Sequence, residues 1–236
     1  MDNEQSAIQL NDSGLHRLLD HKFAEAAGFF RDAVCVTKAI LIHQQDGSSC
    51  LRTRLDLQLD FLGLECYQKT STHEKFRNIN GTDDNMLCKT ALSICRKDAN
   101  SAAEGLWTRS FHDATIAASV TYNLAIATHL WALHEGSIEK LRLALYYYEI
   151  AYGLQIQEET TESSIHSVLS ILNNVANIYL VLGDHGISKL FLEELMAILP
   201  HVRHSYHSMS GVKNQGICWE NILRLMMGPP SAANAA

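Results

Sequence analysis

The chain has 236 residues, 47 % hydrophobic and 19 % charged, the make-up of an ordered soluble protein and not of a disordered or collagen-like one. Its formal net charge is −7 and its basic residues are scattered, which excludes the electropositive face that phosphate contacts require, so nucleic acid is not an expected partner. A compact chain of this length buries roughly 70 % of its unfolded surface, and three prolines leave long stretches free to be helical.

The opening Met-Asp-Asn-Glu lacks the basic and apolar regions of a signal peptide, and no run approaches about 18 apolar residues. The expectation is a cytoplasmic or nuclear protein with no membrane partner. In that setting Cys35, Cys50, Cys66, Cys88, Cys95 and Cys218, with no C-x-x-C pair among them, read as reduced thiols. Asn80-Gly81-Thr82, a glycosylation sequon by pattern, then reads as a polar turn.

Taken in chain order, residues 1–43 predict a first helical hairpin. Leu10, Leu15, Leu18 and Leu19 give its first helix an apolar side, His21-Lys22 turns, and Phe23, Ala26, Phe30, Ala33, Val34 and Ile40 stripe the second at helical spacing. Residues 44–110 break the pattern and read as an insertion, partly extended or irregular. Within it Leu55 to Phe61 alternates apolar and polar with the period of a strand, Cys88 to Ile94 does so more faintly, and Asn78 to Asn85 is rich in turn formers.

Helical periodicity returns over 111–227. A helix over 112–134 carries Ile116, Val120, Leu124, Ala127, Leu130 and Leu133 and stops at Gly136, where Ser137 can cap the next. Its partner over 138–158 carries Leu141, Leu145, Tyr148, Ala151, Tyr152 and Leu154. A third pair spans 162–182, closed by Gly183-Asp184, and 186–199, closed by Pro200. A last amphipathic helix over 211–227, with Cys218, Ile222, Leu225 and Met226 on one side, suits a terminal cap, and 228–236 is a tail expected to be disordered.

One spacing recurs across these hairpins. Gly14, Ala26, Phe30 and Ala33 are separated by 12, 4 and 3 positions, and so are Ala176, Ser188, Leu192 and Leu195. Ala125, Ala144, Tyr148 and Ala151 keep the last two intervals and stretch the first to 19. A small residue facing another across a turn lets antiparallel helices approach closely, and the large residue one turn on fills the space beside the crossing. The 7 extra positions are about two helical turns, so each helix can lengthen by one turn without moving the crossing.

These residues resemble the tetratricopeptide repeat family, in its longer-period, kinesin-light-chain-like variety: Ala151 to Leu195 spans 44 positions. The nearest match is Leu172 to Tyr179, with Gly183 and Phe23 at turns and Pro200 after a second helix; Ser188, Leu195, Arg17 and Thr128 depart from the usual pattern. The resemblance implies an all-α array of antiparallel helix hairpins with a C-terminal capping helix and a large irregular insertion after the first hairpin. It implies a non-catalytic adaptor or scaffold that holds a protein or peptide partner in a concave groove. The groove positions it implies are Asn11, Leu15 and Leu18, then Tyr122, Ile126 and His129, then Asn173, Asn177 and Leu180. Asparagine amides can donate to and accept from an extended peptide backbone, a role open to Asn173 and Asn177, whereas Asn123 and Asn174 suit bonds to neighbouring backbone. Asn11, Tyr122 and Asn173 stand where carboxylate-clamping relatives carry cations, which argues against chaperone tails as ligands.

Other readings stay open beside this one. The exposed end of an array could meet another copy, giving a self-associating structural subunit. His201, His204 and His207 recur every third position and could serve a metal-binding protein or an enzyme, but with no carboxylate or cysteine ligand nearby a solvated loop or helix face is the better reading. No nucleotide-binding, zinc-protease or nucleophile-elbow motif occurs, and Asp83-Asp84, Glu158-Glu159 and Glu193-Glu194 fall at turns or wet faces. No catalytic residue, metal or cofactor is therefore expected. Tyr148 should point into the core, leaving Tyr146 and Tyr147 for packing or a contact patch, and Ser163, Ser164, Ser167 and Ser170 near a helix start could accept phosphate.

Overall fold

The computed structural model describes residues 3–44, 94, 106–156 and 162–202. Among these, all regular structure is helical: α1 (Asn3–Leu19), α2 (Phe23–Gln44), α3 (Leu106–Glu135), α4 (Ile138–Ile156), α5 (Glu162–Val181) and α6 (His185–Val202). The extended segments expected around 55–61 and 88–94, apart from Ile94, which is in no regular element, lie outside the described residues, as do the capping helix over 211–227 and the tail.

Two ends differ from the sequence reading. Helix α3 begins at Leu106, inside the segment read as insertion. Helix α6 runs through Pro200 to Val202, where a stop at Pro200 was expected. A proline removes its own N–H from the ladder and crowds the carbonyl four residues back, but its fixed φ is helical, and helix ends commonly shift by a residue or two.

The three turns between paired helices are built alike. His21, Gly136 and Gly183 each take a left-handed backbone, with φ of 59°, 66° and 82°. The residue that follows donates its N–H back over the last helical turn: Lys22 to the Arg17 carbonyl at 2.9 Å, Ser137 to Ala132 at 2.9 Å and Asp184 to Tyr179 at 2.8 Å. That closure satisfies carbonyls that the helix end would leave orphaned. The same residue then opens the next helix, its carbonyl accepting from Ala26, Leu141 and Ser188 respectively at 2.9, 3.1 and 3.0 Å. Ser137 Oγ also accepts from the Lys140 N–H at 3.3 Å, and Asp184 Oδ1 from the Ile187 N–H at 3.1 Å. Lys22 has no acceptor to offer in that place.

The described helices fall into two compact units, α1–α4 and α5–α6. In the first, α1 packs on α2, α2 on α3 and α3 on α4. The apolar side expected for α1 is corrected: its buried residues are Ala7, Ile8, Asn11 and Gly14, and Leu19 is 78 % exposed. The small residues win that face because α2 comes close there. A Cβ built on Gly14 would stand 2.5 Å from Phe30 Cε1, so the fully buried Phe30 ring fills the room the glycine leaves. Side-chain bonds hold the pairings at the margins, Arg17 with Glu25 at 3.3 Å and Asn123 Nδ2 donating to Asn11 Oδ1 at 2.8 Å.

Helix α3 is enclosed on all sides from Ile116 to Leu130. Its stretch Thr115–Glu135 is apolar and long enough to cross a membrane by composition, with a mean hydropathy of 1.2, yet 89 % of that window is buried within the fold. Polar groups inside it are met locally: Thr121 and Thr128 donate to the Ala117 and Leu124 carbonyls, both at 2.7 Å. At the end of α3, Trp131 Nε1 donates to Glu135 Oε1 at 2.5 Å, and across the turn Lys140 of α4 reaches Glu135 at 2.6 Å while lying 4.3 Å from the Trp131 ring centre. The Lys140 bond is the main reason the Glu135 carboxyl is held below its usual range.

In the second unit α5 packs on α6. Ser188 Oγ donates to the Ala176 carbonyl at 2.8 Å, and one turn further on Tyr179 and Phe191 stack at 5.7 Å with rings 10° from parallel. Leu192, Leu195 and Leu199 bury the rest of the inner face of α6, leaving Leu190 63 % exposed.

Candidate interaction surface

The nine positions proposed to line a groove divide by exposure. Asn11, Tyr122, Ile126, His129, Asn173 and Asn177 are buried, and Leu15, Leu18 and Leu180 are half-buried. Asn11 spends its amide oxygen on Asn123, so the polar group expected to face a partner instead ties α1 to α3. Asn123, expected to bond nearby backbone, bonds a side chain 112 positions away. On α5, Asn173 Nδ2 donates to Asn174 Oδ1 at 3.3 Å. These amides stiffen the frame, and a buried polar group left unmatched would cost about 1–3 kcal/mol.

Tyr148 is fully buried, as its match to Phe30 predicts. Its ring meets Tyr122 at 6.2 Å and His129 at 6.1 Å, the residues three before and four after Ala125 on α3. Tyr148 therefore stands over the turn of helix that carries Ala125, the place Phe30 takes over Gly14. Tyr147 is also buried, which raises its phenol above the usual range while Arg31 pulls the other way. Tyr146 is half-buried and tilted against Tyr147 at 5.9 Å.

Among the described residues no group of three histidine, cysteine or acidic side chains could hold a metal ion. His201 lies in the last turn of α6, while His204 and His207 lie outside the described residues. Cys35 is exposed on α2 with a free thiol. Sequence spacing set Leu19 on the apolar side of α1 and did not single out Leu190; the exposure of both depends on which face each helix turns inward. The link from Lys140 to Glu135 and Trp131 was equally hidden, since it closes only once the Gly136 turn is formed.

Comparison with protein-family models, with curated proteins and with solved structures finds no match for this chain.

Proposed function

We propose that this chain is a non-catalytic, tetratricopeptide-like adaptor that holds a segment of a partner polypeptide. The observation that carries the reading is the recurrence of one hairpin design. A tight turn with a left-handed residue leads to a crossing at small residues, with Phe30 over Gly14, Tyr148 over the Ala125 turn, and Ser188 on the Ala176 carbonyl. The wider separation in the α3–α4 hairpin fits one added helical turn in each arm, which keeps the crossing in register. Repeated helix pairs generally serve as binding surfaces, so the step from hairpins to adaptor is one of fold-level analogy.

On this reading the buried amides and rings build the wall within each unit, and the half-buried Leu15 and Leu18 of α1 are the part of α1–α4 within a partner's reach. The partner then offers apolar side chains from an extended or helical segment, and apolar contact supplies most of the affinity. Tagged full chain, wild type and Leu15→Ser/Leu18→Ser, is used to capture proteins from the native cell, with mass spectrometry comparing the two. A protein retained by the wild type and lost from the variant supports the groove; captures that are identical speak against it.

A further inference from the structure

We infer that His129 makes the α3–α4 hairpin acid-sensitive: protonating its imidazole requires the hairpin to open, so acidification raises the population in which Tyr122, Tyr148 and His129 meet water. The ring is wholly buried, and among the described residues neither Nδ1 nor Nε2 has a hydrogen-bond partner. A charged imidazole has two N–H donors to satisfy, and an unpaired buried charge is among the costliest arrangements in a protein.

The groups facing the ring can be placed. From α4 it meets the edge of Tyr148, whose ring also meets Tyr122 of α3. Helix α1 reaches α3 at Asn123 and α2 reaches it at His134. Those two contact positions lie roughly 120° and 140° around α3 from His129. Among the described residues no carboxylate, lysine or arginine acts on the ring; burial alone lowers its pKa from 6.5 to about 3.

The direction follows from that lowering. The buried neutral imidazole contributes no acid sensitivity above about pH 6.5, where the opened state is neutral as well. As pH falls below that value only the opened state takes up a proton, and the preference for opening grows until about pH 3. At about pH 5 the opening equilibrium rises roughly thirtyfold over its value near pH 7.5.

Hydrogen exchange of the full chain, read by mass spectrometry and corrected for intrinsic rates, tests this at about pH 5 and 7.5 for wild type, His129→Leu and His129→Gln. The expected result is a rise of about thirtyfold in opening for α3–α4 peptides of the wild type, absent from whichever variants fold, with α5–α6 peptides as internal reference. No rise in the wild type, a rise kept by a folded variant, or one shared equally by α5–α6 overturns the inference.

Discussion

Gly14 illustrates how a single hydrogen atom sets the distance between two helices. Glycine inside a helix costs about 0.5–1 kcal/mol relative to alanine, so Gly14→Ala on an isolated helix would be a gain. Here the added methyl would lie 2.5–2.8 Å from three carbons of the buried Phe30 ring. Overpacking of that kind costs about 1–3 kcal/mol, which outweighs the helical gain. Gly14→Ala is therefore expected to lower stability by about 1–2 kcal/mol in urea unfolding, and Gly14→Ala/Phe30→Leu to recover part of the loss. A more stable Gly14→Ala would mean that the ring yields freely and that the close approach is not what holds α1 to α2. In the second unit Ser188, which stands where Ala26 does in the first, ties the crossing through its bond to the Ala176 carbonyl. Ser188→Ala should cost about 1 kcal/mol, read as a lower thermal midpoint of α5–α6.

At the scale of elements, the turns carry more information than the helices they join. Gly183 has φ of 82°, where a Cβ is strained whatever the free space, so Gly183→Ala should cost about 1–2 kcal/mol. Asp184→Ala removes the side-chain cap on Ile187 and should cost about 1 kcal/mol. Conversely Lys22 opens α2 with no capping oxygen, and Lys22→Ser should raise stability by about 0.5–1 kcal/mol if the shared turn geometry governs that position. Denaturant midpoints of the three variants check all of this at once. Much of it was legible beforehand: Gly136-Ser137 and Gly183-Asp184 announce a stop and a start, and His21-Lys22 was placed at a turn. The continuation of α6 past Pro200 was not legible, because a proline signals a break that neighbouring helical residues can override at a helix end. Nor was the buried face of α1. Four leucines suggested one side, but the close crossing selects Ala7, Asn11 and Gly14, since small side chains allow backbones to approach.

At the scale of the whole molecule, the all-helical character of the described residues follows from long apolar runs at helical spacing with few breakers. The candidate surface was harder to read. A periodic pattern tells which residues share a face of a helix, but whether that face meets water depends on what packs against it, as Tyr122, Ile126 and His129 illustrate. With α1–α4 and α5–α6 forming separate compact units, Gly14→Ala should reduce amide protection in α1–α4 and leave α5–α6 unchanged. Loss of protection in both would mean that the units unfold together. The central claim, that this chain holds a partner segment against the half-buried Leu15 and Leu18 of α1, is tested most directly by titrating the segment captured from cells, as a synthetic peptide, into purified full chain. The account predicts saturable binding that weakens at least about tenfold, or about 1.4 kcal/mol, in Leu15→Ser/Leu18→Ser while that variant keeps its helical content. Equal affinity for both proteins, or no saturable binding to either, would contradict it.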